Sequence, residues 1–160
     1  MGKLSVSEPG ASNESKYSIF QLAGYIFGLT LSDVKEIVPL PRITGIPNVH
    51  PSILGVFNLR GQIISILDLR RLLNLEINPV STKSFILIIT LKNMFFGIYV
   101  DKVLDVLSVD ELKIQIPTRD LALPFLSYVK GVYEDKRLGN IYMMDIEAII
   151  NSKEVRQYRF

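Results

Sequence analysis

From Tyr17 onward the chain alternates short apolar runs with turn residues. The segments 17–22 (YSIFQL), 25–31 (YIFGLTL), 55–69 (GVFNLRGQIISILDL), 85–91 (FILIITL), 94–100 (MFFGIYV), 102–109 (KVLDVLSV), 128–134 (YVKGVYE) and 140–146 (NIYMMDI) have the length and flanking residues of strands. Segment 85–91 is continuously apolar, which predicts a strand covered on both faces. Helical signals are brief. Asp33 and Glu36 have the spacing of a reciprocal cap, predicting one turn after Thr30–Leu31. Asp68 predicts a capped helix to about Leu75, with Leu69, Leu72 and Leu73 inward. Asp145 predicts the same over 146–151, and Pro51 after His50 predicts a further turn. Residues 1–16 are polar and lack periodicity, and read as a disordered lead-in. Residues 153–160 read as a tail.

Composition points the same way. The chain has 20 Ile and 13 Val but 4 Ala, with 10 Gly and 8 Pro for turns. β-Branched side chains suit a pleated, half-buried surface. The expected fold is all-β with a few short helices.

The pattern also repeats. Residues 20–38 align without a gap on 89–107, and Leu22/Leu91, Phe27/Phe96, Gly28/Gly97 and Val34/Val103 are identical pairs. Leu29/Ile98, Leu31/Val100, Glu36/Asp105 and Ile37/Val106 keep their character. Further on, Gly55–Val56 matches Gly131–Val132, Ile64 matches Ile141, Asp68–Leu69 matches Asp145–Ile146, and Leu72–Leu73 matches Ile149–Ile150. This predicts two similar units, each of about five strands closed by a short helix, and each too small to stand alone.

Lys plus Arg total 18 and Asp plus Glu 16, a net charge of +2. That is too little to imply nucleic acid or an anionic membrane. There is no Cys and one His, so a thiolate metal site, a disulfide or a Cys nucleophile is excluded. His50 lies in a turn-like stretch and reads as a solvated or capping residue. Among the carboxylate pairs Asp33 with Glu36, Asp101 with Asp105, and Asp110 with Glu111, Glu36 and Asp105 fall on repeat-equivalent positions, which favours structural roles. Arg70–Arg71 and Arg156 with Arg159 read as solvated faces. Phosphate-binding Gly motifs are absent. The expectation is a non-enzyme without cofactor or metal, with no apolar run long enough to cross a membrane as a helix.

Residues 53–73, ILGVFNLRGQIISILDLRRLL, resemble the signature of CheW-like domains at Gly55, Val56, Asn58, Leu59, Arg60, Gly61, Asp68, Leu69 and Arg70. The stretches YIFGLTLSDVKEIV, FGIYVDKVLDVLSV and YVKGVYEDKRLGNIYMMDIEAII resemble that family in the same order, from residue 17 to 150. The resemblance implies two SH3-like five-stranded β-barrel subdomains around a shared hydrophobic core. The expected division is one domain over 17–152, its first barrel mainly 17–80 and its second mainly 84–145, with exchange of strands between them left open. It further implies a cytoplasmic adaptor, recruited to receptor arrays, that couples chemoreceptors to the histidine kinase CheA. By resemblance the receptor-binding groove carries Leu31, Val34, Glu36, Ile43, Arg60 and Phe85, with Glu36 and Arg60 paired at its wall. Kinase contacts fall near Gly55 and Asn58 on one side and Val103, Gln115, Ile116 and Pro117 on the other. The expected partners are the CheA regulatory domain and a chemoreceptor hairpin tip, with ring assembly in arrays. Three alternatives stand beside this: an adaptor of a non-flagellar chemosensory pathway, a small barrel binding oligonucleotides, and a hydrolase using an Asp dyad.

Overall fold

The computed structural model describes residues 13–117 and 123–156. Among these, ten strands run in chain order: β1 (Glu14–Leu22), β2 (Tyr25–Thr30), β3 (Val34–Pro39), β4 (Ile53–Leu59), β5 (Gln62–Leu67), β6 (Phe85–Leu91), β7 (Met94–Val100), β8 (Lys102–Asp110), β9 (Val129–Asp135) and β10 (Gly139–Met144). Short helices α1 (Leu69–Leu72), α2 (Ile146–Ile150) and α3 (Lys153–Arg156) follow β5 and β10.

The strands form two five-stranded sheets, ordered β8-β1-β2-β10-β9 and β3-β6-β7-β5-β4. Exchanging β1–β5 with β6–β10 turns one order into the other, so the sequence repeat is a structural one. The register agrees. Pairing between β3 and β6 skips Lys35, and pairing between β1 and β8 skips its repeat mate Leu104. Pairing between β4 and β5 skips Leu54, and that between β9 and β10 skips the mate Lys130. One parallel contact joins Gly28 to Met143 and the other joins Gly97 to Ile66. The repeated glycine serves this approach: a Cβ on Gly97 would lie 2.6 Å from Ile86 Cγ2, and one on Gly28 would lie 3.1 Å from Met143 Sδ.

The expected division at 17–80 and 84–145 needs correction, because the barrels are interleaved. One sheet is the continuous run β3–β7, and the other combines β1 and β2 with β8–β10. A 3-10 turn at Leu31–Asp33 carries the chain from one sheet to the other, and Asp101 carries it back. Neither sequence half can complete a sheet alone. Each barrel closes by one further bridge, Thr44 with Val56 (both N–H···O bonds 2.8 Å) and Gln115 with Val132 (2.9 and 2.8 Å).

The two sheets share one core. Phe20, Phe27 and Leu29 from one meet Ile64, Ile66, Leu87 and Ile98 from the other in a single buried cluster. Tyr25, Phe27, Tyr142 and Phe125 add edge-on ring contacts, Phe125 lying 5.0–5.3 Å from the other three. Ile86 to Ile89 of β6 are all fully buried, as the continuous apolar run requires. Phe57 and Phe96 are core residues, while Phe95 is half-buried beneath Lys35 Nζ, 4.8 Å from the ring centre.

Several local expectations change. Residues 14–16 belong to β1, where Glu14–Lys16 pair with Ser108–Asp110; residues 1–12 lie outside the described part. Asp33 and Glu36 do not cap each other, because the β-branched run after Val34 extends as β3. The helix after Asp68 ends at Leu72, and Asn74 turns the chain with φ 57°. The tail is helical over Lys153–Arg156, since Val155 is buried in the shared core; residues 157–160 are outside the described part. His50 does organise a turn, its carbonyl accepting from Ile53 N–H (2.9 Å) and its Nδ1 from Ser52 N–H (3.1 Å).

Candidate functional site

Strand β3 is an edge strand, and five of the six expected groove positions lie on it, beside it or across from it. Val34 sits at one end opposite Ile89, and Pro39 at the other opposite Phe85. At roughly 3.3 Å per residue this edge is about 17 Å long, close to three turns of an α-helix. Val34 and Phe85 are half-buried and pack on the shared core. Leu31 lies just before β3, half-buried in the 3-10 turn. Ile43 lies beyond it, in an apolar hollow of about 300 Å³ with Leu40, Pro41, Leu54 and Val80.

Glu36 and Arg60 meet as expected. Arg60 Nη1 donates to Glu36 Oε1 (2.8 Å) and Nη2 to Oε2 (2.5 Å), a two-point bond across the open edges of the sheet. Arg60 is 70% exposed and Glu36 27%. Hydrogen bonding to Arg60 holds the Glu36 carboxyl below its ordinary range, and the same bond raises the guanidinium. The pair's contribution to folding is therefore complete above the ordinary carboxylate pKa and is lost as pH falls through the lowered one. Arg60 and Gly61 form the tight β4–β5 turn with φ of 51° and 88°, and Asn58 Oδ1 accepts Gly61 N–H (2.8 Å).

The repeat holds a second clasp that the sequence reading missed. Arg137 Nη2 donates to Asp105 Oδ2 (2.6 Å), and Asp105 is the mate of Glu36. Extending the alignment from Glu36/Asp105 into the β9–β10 turn was the signal available. The recurrence makes the bond itself part of barrel closure. The difference between the two clasps lies beside them: Ile63, three residues after Arg60, is 63% exposed, whereas its mate is Asn140. Val34 and Val103 are alike, both half-buried against the core.

Of the expected kinase contacts, Gly55 is buried and offers no surface. Its φ is 151°, and a Cβ there would lie 2.5 Å from Thr44 O, so its role is the close approach at the barrel-closing bridge. Asn58 is exposed. Ile116 is 85% exposed, and Gln115 makes the bridge to Val132. Val103 and Pro117 are half-buried. Asn58 lies on β4 of one sheet, whereas Val103 lies on β8 of the other and Gln115 bridges to that sheet, so the two groups are on different barrels and not in one patch.

Arg70 is not a solvated residue. It is 3% exposed and bonded twice to Asp68, Nε to Oδ1 (2.9 Å) and Nη2 to Oδ2 (2.8 Å). The carboxylates paired in the sequence reading are also engaged. Asp101 accepts from Ala23 N–H (2.8 Å) and Tyr99 OH (3.2 Å), Asp110 from Leu112 N–H (3.0 Å), and Glu111 from Tyr17 OH (2.6 Å). Burial, then that bond to Glu111, raises the Tyr17 hydroxyl above its ordinary pKa. Among the described residues no three His, Asp or Glu side chains gather as metal ligands, and no helix is long and apolar enough to cross a membrane.

Asp33 is the exception. Burial, opposed by Lys130 and reinforced by Glu147, raises its pKa above the ordinary 3.8. Folding therefore favours the protonated form, and stability falls as pH rises through the raised pKa. Asp33→Asn is expected to raise the urea midpoint at pH 7 and to leave it unchanged below the ordinary carboxylate pKa.

Two interleaved five-stranded barrels, clasped across their edges and presenting a half-buried apolar track, define a double SH3-like barrel protein. A family model described as the CheW-like domain matches residues 16–154, and the chain belongs to that family. It is 30% identical over 139 residues to the chemotaxis protein CheW of Bacillus subtilis (86% of this chain, 88% of that one). It is 32% identical over 116 residues to protein PilI of Pseudomonas aeruginosa (71% and 64%). In structure it is similar to the scaffolding protein TtCheW from Thermoanaerobacter tengcongensis, with TM-score 0.79, 27% identity, and coverage of 94% and 96%.

Proposed function

We propose that this protein is a non-enzymatic scaffold that couples chemoreceptors to the histidine kinase CheA, working in the cytoplasm at receptor arrays. The observation that carries this reading is the exposed Arg60, held by Glu36 against an apolar edge that suits a helical hairpin tip. A helix laid along β3 would place apolar side chains against Val34, Ile43 and Phe85. It would meet the guanidinium donors that Glu36 leaves unused. Kinase contacts are assigned to two corners, one on each barrel, at Asn58 and at Val103 with Gln115–Pro117, an arrangement suited to ring assembly through pseudo-symmetric pairing. Gly55 belongs to that corner only through the backbone it shapes. The similarity to PilI keeps a non-flagellar chemosensory pathway as a second reading.

The test is calorimetric titration of the purified protein with a chemoreceptor hairpin and with the CheA regulatory domain, separately. Saturable binding of both supports the reading, and binding of neither contradicts it. The repeat supplies a control. Val34→Asp and Val103→Asp are each expected to cost about 1–3 kcal/mol in stability, because both valines pack on the core. Only Val34→Asp is expected to weaken receptor capture, with titrations done below the unfolding midpoint of both variants.

A further inference from the structure

The two halves also differ around the helix-capping aspartates. In the first, Arg70 lies on Asp68 and under the Tyr99 ring, 4.7 Å from its centre, and donates to Asn78 O (2.7 Å). The repeat mates of Tyr99 and Arg70 are Thr30 and Glu147, while the mate of Asp68 is another aspartate, Asp145. The parallel contacts Gly97–Ile66 and Gly28–Met143 put Tyr99 beside Asp68 and Thr30 beside Asp145. Where the first half is filled, the second is hollow. A cavity of about 280 Å³ is lined by Thr30, Asp33, Lys130, Asp145 and Glu147, and a shallower one of about 430 Å³ adjoins it through Thr30, reaching Leu31.

We propose that this hollow receives the guanidinium of an arginine side chain from a partner protein, in the place that Arg70 takes in the other half. The seat is intact. Asp145 Oδ1 caps its helix by accepting from Ala148 N–H (3.1 Å), as Asp68 Oδ1 does from Arg70 N–H (3.1 Å). At Asp68 both oxygens also accept the guanidinium. Asp33 and Glu147 add carboxylates at the wall, and Asp33 is half-buried. Two lysines oppose them: Lys130 beside Asp33, and Lys92 at 3.4 Å from Glu147 on the exposed rim. A planar fork that bonds two oxygens at once outcompetes such point charges, which selects arginine over lysine. This site is separate from the Glu36–Arg60 clasp and does not depend on the receptor assignment.

The test is an amide NMR titration of the full chain with N-acetyl-arginine amide, N-acetyl-lysine amide and free arginine. Saturable shifts at Thr30, Asp33, Asp145 and Glu147, about tenfold weaker with the lysine probe and weaker with free arginine, are expected. The double variant Thr30→Tyr/Glu147→Arg rebuilds the first half's plug and is expected to lose the shifts. If it does not fold, Glu147→Gln decides, with affinity for the arginine probe falling about threefold. Absent or non-saturable shifts, equal response to lysine, or undiminished binding in either variant overturns the proposal. Free arginine binding as tightly as the amide reassigns the site to a small molecule and overturns the partner assignment.

Discussion

Asp68→Ala is expected to destabilise the fold by about 3–5 kcal/mol, the usual consequence of leaving a buried charge without its partner. Arg70 is 3% exposed, and two of the three bonds its guanidinium group donates go to Asp68, at 2.9 and 2.8 Å. Hydrogen bonding to Asp68 raises the guanidinium pKa in the native fold, and without Asp68 the intrinsically basic guanidinium still keeps its proton and its charge. The network continues through the Tyr99 ring to the hydroxyl, which meets Ser84 Oγ (2.9 Å) and Asp101. Asp101 in turn holds the β1–β2 turn through Ala23 N–H. Losing Asp68 therefore loosens the join between the two sheets. The repeat provides the comparison. Asp145→Ala removes only a helix cap and is expected to cost about 0.5–2 kcal/mol. Urea unfolding of the two variants measures the difference, and equal losses would contradict the account of Asp68.

Arg60→Gly is expected to weaken receptor capture about tenfold while leaving the urea midpoint no lower than that of Arg60→Ala. Arg60 occupies a left-handed backbone conformation, φ 51°, which glycine adopts without strain. The substitution removes the guanidinium and eases the turn together. Arg137→Ala, which breaks the equivalent clasp in the other barrel, is expected to leave receptor capture intact. Loss of capture in both variants would show that the clasps act only by closing the barrels.

The strand segments were legible because apolar runs of strand length stand between Gly, Pro and Asn turns. The duplication was legible because Gly28/Gly97 and Asp68/Asp145 each serve a repeated physical need, a close parallel approach and a helix cap. Strand exchange was not legible. Whether β3 pairs with β1 or with β6 depends on where Leu31–Asp33 directs the chain, and alternation within Val34–Pro39 is the same in either sheet. Arg70 was misread because adjacent arginines look solvated, and only the fold brings Asp68 and Tyr99 around one of them. The Glu36–Arg60 pair came from family likeness, whereas the Asp105–Arg137 pair required the turn to be aligned as well. Gly55 carries a signature glycine, but its chemistry is steric closure against Thr44 and Ile43.

The central claim is that this chain joins two other proteins at once. Co-sedimentation measures it directly, using vesicles that carry a chemoreceptor and the CheA regulatory domain, with and without this protein. The account predicts that CheA pellets with the vesicles only when the protein is present, and that Arg60→Gly reduces this. CheA pelleting equally without the protein, or staying in the supernatant with it, would contradict the account.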